Sequence, residues 1–394
     1  MINKKIAFGI IFFVFLVSAT VSYSYFKNRE SDNFFLSSIK YRPPNFNGEN
    51  HKSNQSSLVV DNQPKTEECP LNGALYSKAQ KVKWENRRPL GIMVENHVEA
   101  RPQSGLSFAD IVYEVVAEGG ITRFLAIYYC QDALPVGPVR SARIYFIKLL
   151  QEYGNYPLYA HVGGANTPGP ADALGEIVNL GWVSYNDLNQ FSVPFPYFWR
   201  DYERLPNRAT EHTVYTSTIK LWQYAKDKRK LTNVDEDGVL WNKNFTSWLF
   251  KDDDKKIDRG DTTKVSFGFW DNLASDFKVD WIYNKEKNIY ERNNGGEPHI
   301  DKNTGKVLTA KNVIVVFAKE SPANDGYPGG HLLYKIVGSG NGIIFQDGKA
   351  VKISWQKDDE ESRMKFYDKN GKEVELVRGP IWVEILPIGN EVSY

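Results

Sequence analysis

Between Gly91 and Asn166, charged side chains stand inside runs that are otherwise apolar. Glu114 interrupts IVYEVV, Glu118 precedes a Gly-Gly turn, Arg123 opens RFLAIYYC, and Arg140 and Arg143 flank Ser141 ahead of IYFIKLL. Burying such groups is costly unless they are paired. Arg123, Arg140 and Arg143 set against Glu95, Glu114 and Glu118 could satisfy one another as a structural ion network. The same residues could instead line an anion or glycan pocket. Arginine grips a carboxylate or phosphate at two points. A helix starting at Arg140 would add the free N–H groups of its first turn, with Arg140, Ser141 and Arg143 as further donors.

Within the pocket reading, Glu114 and Glu118 are candidates for acid/base work on a glycosidic bond. In an extended strand, residues i and i+4 share a face but sit about 13 Å apart. That exceeds the ~5–9.5 Å separation of glycosidase carboxylates unless the following turn brings them closer. His161 ends a short strand just before Gly163-Gly164-Ala165-Asn166, where α/β proteins commonly place ligands. His161 and Asn166 therefore join Arg140, Ser141, Arg143, Arg123, Glu95 and Asn96 as candidate binding residues. A satisfied structural histidine is the competing reading for His161, and equally for His212 and His299. Ser141 lacks the flanking glycines of a nucleophile elbow.

Composition narrows the classes. The 394 residues carry 49 Lys plus Arg against 48 Asp plus Glu, a net +1, which argues against a generic nucleic-acid binder. At 41% hydrophobic and 14% aromatic residues, wholesale disorder is excluded. Two cysteines cannot build a disulfide-rich scaffold or a four-cysteine zinc module, and the six histidines show no H-E-x-x-H spacing. Neither a cofactor nor a metal is expected.

The chain opens with Lys4 and Lys5 ahead of 21 uncharged residues, 6–26. A helix of that length just crosses ~30 Å of hydrocarbon, with the lysines cytoplasmic and the rest outside. An uncleaved anchor is favoured by Tyr23, Tyr25 and Phe26 as an interfacial belt. A cleaved signal peptide would release a secreted protein. No cysteine adjoins the apolar segment, so a lipid-modified N-terminal cysteine is not expected. Residues 27–68, rich in Asn, Ser, Lys and Pro, read as a disordered tether. An oxidising location allows Cys69 and Cys130 to pair, closing a loop of about 60 residues worth on the order of 4 kcal/mol.

The folded part reads as a layered, mixed-sheet α/β protein. Strands are predicted at 89–96, 111–116, 123–130 and 157–162, with Glu118-Gly119-Gly120 as the turn of a hairpin. Helices are predicted at 140–153, 170–180 and 217–228. This gives an α/β domain over 69–228 and a charged connector over 229–262. Within the connector, the 251–256 run reads as a solvated loop. A strand-rich domain over 263–394 is expected to form a twisted antiparallel sheet, with Asp347-Gly348 and Asn370-Gly371 as hairpin turns.

The stretch ENH..ARPQSGLS.ADIVYE...EGGITRF, followed by GPVRSAR, resembles the YerB-like family, the bacterial DUF3048 proteins. Weaker matches run through HVGGA and HTVYTST, and GGEPHID, NVIVVFA and GPIWVEILP resemble the family's second domain. The resemblance spans about 89–394. It implies a layered α/β arrangement and an exported protein, often a lipoprotein, linked to the cell wall, with no settled activity. Glu114, Glu118, Arg123, Arg140, Ser141 and Arg143 lie on the family motif. Three functions follow. The first is a membrane-anchored protein of the cell envelope that binds a cell-wall glycopeptide or an envelope protein. The second is a peptidoglycan-acting enzyme using a glutamate, and the third is a scaffold without a small ligand.

Overall fold

Residues 63–394 are described by the computed structural model. The segment 6–26 and most of the predicted tether lie outside the described residues. Among the described residues, no helix is long and apolar enough to cross a membrane. The last tether residues do take part in the fold, since Glu67–Glu68 pairs antiparallel with Leu75–Tyr76.

The first strands follow the apolar runs. They are β1 (Leu90–Glu95), β2 (Ile111–Val116), β3 (Thr122–Tyr128), β4 (Leu158–His161) and β5 (Asp187–Asn189). The later strands are β6 (Lys264–Phe267), β7 (Val279–Asn284), β8 (Ile289–Asn294), β9 (Asn312–Pro322), β10 (Gly338–Gln346), β11 (Lys349–Lys357), β12 (Lys365–Tyr367) and β13 (Ile381–Pro387). Three helices serve the argument: α1 (Ile144–Leu150), α2 (Ala173–Asn179) and α3 (Thr218–Arg229). Ser217 caps α3 by accepting from the Lys220 N–H.

One sheet of 11 strands organises the molecule, in the order β12-β11-β10-β9-β13-β2-β3-β1-β4-β5 with Leu332–Lys335 paired to β9. The predicted hairpin is present, β2 and β3 pairing antiparallel from Ile111↔Ile127 to Val116↔Thr122. Asp347-Gly348, both at positive φ, join β10 to β11 as expected.

The strand-rich part forms one antiparallel sheet of its own, six strands between Lys264 and Ser393, but its remaining long strands join the main sheet. Its β9 and β13 are parallel, and β13 is in turn parallel to β2, with Ile381↔Ile111 and Glu384↔Glu114 in register. Six of the seven residues of β13 are buried, the pattern of a central strand covered on both faces. The two stretches separated in the sequence thus share one sheet within a single compact unit. A second, six-stranded sheet carries β8, β7 and β6 and lies over the main one. Trp281 and Phe124 meet Trp382 edge-on, at 5.3 and 5.4 Å. On the opposite face α1 packs so closely that a Cβ on Gly91 would sit 2.8 Å from Leu150.

Two local expectations are corrected. The helix begins at Ile144 rather than Arg140, because Arg140 N–H bonds to Met93 O and Ala142 N–H to Gly163 O. Those long-range bonds hold 140–142 extended. The 251–256 run is not merely solvated: Phe250–Lys251 pairs with Leu376–Val377, while Asp252, Asp253 and Asp254 meet Arg378, Lys311 and Lys349.

Cys69 and Cys130 form a disulfide, 61 residues apart. Beside it the buried Asp110 accepts from Tyr129 N–H (2.7 Å), Cys130 N–H (3.0 Å) and Asn72 Nδ2 (3.0 Å). Burial nevertheless pushes its pKa up to about 6. A carboxyl whose folded pKa is raised favours the folded state when protonated. That advantage is complete below about pH 4 and is lost as pH rises through 6, on the order of 3 kcal/mol.

Two expectations are open to measurement. In denaturant titrations, the wild type should lose stability relative to Asp110→Asn between pH 4 and pH 7; parallel pH profiles would refute the assignment. The fragment 63–262, lacking β13 and the second sheet, should show no cooperative unfolding until 263–394 is co-refolded with it. A sharp transition from the lone fragment would mean that the halves fold independently.

Candidate functional site

Strand alternation divides the predicted site. Successive side chains point to opposite faces, so Glu95 and Arg123, paired across β1 and β3, share one face. Glu114 and Phe124, paired across β2 and β3, share the other.

On the face beneath the second sheet, Glu114 is completely buried. Its Oε1 accepts from Asn96 Nδ2 (3.1 Å) and Thr122 Oγ1 (2.5 Å), and its Oε2 accepts from Arg292 Nη2. Beside it in register stands the equally buried Glu384, whose Oε1 accepts from Trp281 Nε1 at 3.0 Å and lies 3.9 Å from Arg292 Nε. Two carboxylates share one guanidinium. Burial, followed by the Glu114 charge, raises the Glu384 pKa well above the usual carboxylate range, so Glu384 keeps its proton. Arg292 also donates to His299 Nδ1 (2.5 Å), and His299 Nε2 donates to Gln103 Oε1 (2.7 Å). Burial, with Arg292 and Arg101 nearby, pushes the His299 pKa well down and keeps the ring neutral.

On the α1 face, Arg143 holds Glu118 at two points, Nε to Oε1 and Nη2 to Oε2 (2.6 Å). Arg123 adds Nη2 to Glu118 Oε2 at 3.2 Å and Nη1 to Ser141 O at 3.1 Å. Burial raises the Glu118 pKa, but the Arg143 hydrogen bond and both arginine charges outweigh it, and the net shift is downward. Arg123 is lowered to about 10 by burial and then by Arg143.

Arg140 stands apart from this pair. Its Nε lies 3.2 Å from Glu95 Oε1, yet among the described residues its guanidinium makes no hydrogen bond, and its side chain is 28% exposed. Glu95 Oε2 is instead taken by His212 Nδ1 at 2.9 Å. His97 stacks on the His212 ring at 5.0 Å, and Glu99 lies 3.6 Å from His212 Nε2. Glu211 lies within electrostatic reach of His212, Arg140 and His97.

The remaining candidates separate. His161 is fully buried, its ring nitrogens 2.7 Å from both Gly163 O and Asp187 Oδ1, which fits the structural reading. Asn166 is exposed. The structure therefore brings together Glu118, Arg123, Arg143 and Ser141, then Glu95 with Arg140, and carries Glu114 and Asn96 to the opposite face. Sequence reading missed Arg292 and Glu384. One signal was available: Glu384 interrupts IWVEILP at its fourth residue, as Glu114 interrupts IVYEVV.

These assignments imply unequal tolerance. Glu384→Gln keeps shape and neutrality and should cost under ~1 kcal/mol, whereas Arg292→Met strands Glu114 and should cost about 3–5 kcal/mol. Chemical denaturation of both variants checks this, and equal losses would refute the proton assigned to Glu384.

The chain matches the DUF3048 protein of unknown function at its N-terminal domain over residues 76–232 and at its C-terminal domain over 269–383. It is 32% identical over 335 residues to YerB of Bacillus subtilis strain 168, which is provisionally designated a lipoprotein. That match covers 84% of this chain and 90% of YerB. A crystal structure of the YerB protein from Bacillus subtilis superposes with a TM-score of 0.67 at 29% identity, covering 84% of this chain and all of that one. With both domains matched and most of a relative's length aligned, the chain belongs to the DUF3048 family.

Proposed function

We propose that this is a membrane-anchored envelope protein, its folded part outside the cytoplasm, that binds a carboxylate-bearing cell-wall component or wall-synthesis partner through Arg140. The lipoprotein designation of its relative supports the location. So do the 6–26 segment and the disulfide, a bond of oxidising compartments.

The observation that carries the binding reading is the part-exposed guanidinium of Arg140, beside the half-buried Ser141; it has Glu95 as its ion-pair partner but makes no hydrogen bond among the described residues. Glu99 and Glu211 at its rim favour a ligand that also carries an amine. Acid/base catalysis by the predicted glutamates finds no support in the geometry. Glu114 is enclosed and fully bonded, and Glu118 is held ionised by two arginines. The scaffold reading predicts that Arg140 matters for stability alone.

Incubation of the protein with purified cell wall tests these readings. Arg140→Ala should weaken pelleting roughly 10–100-fold, the worth of one charge-assisted hydrogen bond, with little change in melting temperature. Pelleting unaffected by the variant would overturn the assignment. New fragments in mass spectra of the supernatant would point to an enzyme.

A further inference from the structure

At the opposite end of α1 the chain passes through Gln151–Tyr153 and Gly154 before entering β4. Gln151, Asn155, Tyr156 and Asn244 border a cleft of about 460 Å³ there. Asn244 and Glu361 also border a second hollow of about 400 Å³, lined by Gln356, Asp358 and Tyr367, so the two adjoin. Each falls in the size range of small-molecule sites.

Three observations give the cleft a ligand. Tyr156 has φ +50°, a left-handed conformation that a bulky residue adopts only when its surroundings impose it. The buried Arg88 imposes it, donating Nη1 to both Asn155 O and Tyr156 O (3.2 Å each) and Nε to Thr232 O (2.6 Å). The tyrosine so held is 39% exposed, against Tyr185 at 4.9 Å. Strain is thus maintained to present an aromatic ring at the cleft.

The second observation is Gln151, only 7% exposed, whose Oε1 has no hydrogen-bond partner. A buried acceptor left unmade is costly; this oxygen is closed to solvent, so a donor in the cleft would meet it only once the amide turns outward. The third is the lining chemistry. The amides Gln151, Asn155, Asn244 and Gln356 stand beside Trp182 and Tyr156, and Asp235, Asp358, Asp359 and Glu361 stand against Lys243, because Arg363 and Lys365 already pair with Glu152 and Glu373. That balance repels an anion, and so much polar lining rejects an apolar ligand.

We infer that this cleft binds an uncharged oligosaccharide rich in hydroxyl and N-acyl groups. Amides and carboxylates bond such hydroxyls as paired donors and acceptors, while Tyr156 and Tyr367 offer ring faces to the C–H faces of a sugar. The site is separate from Arg140, and the inference stands whether or not Arg140 binds carboxylates.

The test titrates a β-1,4-linked N-acetylglucosamine tetramer into the full-length chain, held in a detergent without sugar headgroups, and follows heat and tryptophan fluorescence. Tyr156→Gly removes the ring and admits the left-handed backbone freely. It should leave stability equal or higher while weakening binding at least ~tenfold. Gln151→Met should likewise keep stability and weaken binding, whereas Arg140→Ala should leave tetramer affinity unchanged. No binding by the wild type at millimolar tetramer, or binding unaltered by Tyr156→Gly, would overturn the proposal. So would tighter binding, sensitive to Tyr156→Gly, of a tetramer bearing carboxylates.

Discussion

Arg292 is the point on which the two parts of this protein depend. The parallel pairing of β13 with β2 sets Glu384 beside Glu114 in a dry interior. Two adjacent buried carboxylates repel, and neither can reach water. The pair becomes tolerable only when a proton stays on one and a guanidinium reaches the other. That guanidinium comes from β8 of the second sheet, 178 residues from Glu114 in the chain. Docking the second sheet is therefore bound up with completing the first. His299, Gln103, Asn96 and Asn294 extend the network outward, so the covering sheet is seated by polar registration as well as by the Trp281–Trp382 contact.

The other face is tied across the same seam. Glu152, just after α1, is clamped by Arg363 Nη1 (2.8 Å) and Lys357 Nζ (3.5 Å) and accepts the Met364 N–H (3.0 Å). Arg363 in turn lies 3.5 Å over the Trp248 ring. This fixes the far end of α1, while Arg143 and Glu118 fix its start. Arg140 and the Gln151–Tyr156 turn thus flank one short rigid element, with Arg143 and Gln151 about 12 Å apart along the helical rise. Precise positioning of this kind is what a binding surface needs from its scaffold.

A contrast between satisfied and unsatisfied groups separates structure from function. Most charged groups that drew notice in the sequence have every partner they need, and their work is to hold strands and sheets in register. Three of the departures flank α1: the Arg140 guanidinium without a hydrogen bond, the Gln151 carbonyl without a donor, the Tyr156 backbone in a strained region. Groups left incomplete beside an accessible surface are where a ligand would gain most.

The sequence by itself determined the local elements. Apolar runs of strand length, the Gly-Gly and Asp-Gly turns and the Ser217 cap each act over a few residues, so their outcome is written in adjacent side chains. The disulfide was legible too, because two cysteines in an oxidising setting leave one pairing. What the sequence could not show was which charge meets which. Glu114 and Glu118 look like a pair in the strand, yet Glu114 answers to Arg292 and Glu384, while Glu118 answers to Arg143. The start of α1 was misplaced for the same reason: the N–H groups of Arg140 and Ala142 are taken by Met93 and Gly163, from β1 and the turn after β4. The union of both parts in one sheet rests on Ile381–Pro387 lying beside Ile111–Val116, a contact between segments some 270 residues apart. Such pairings are chosen by which faces can be buried together, and only the tertiary structure settles that competition.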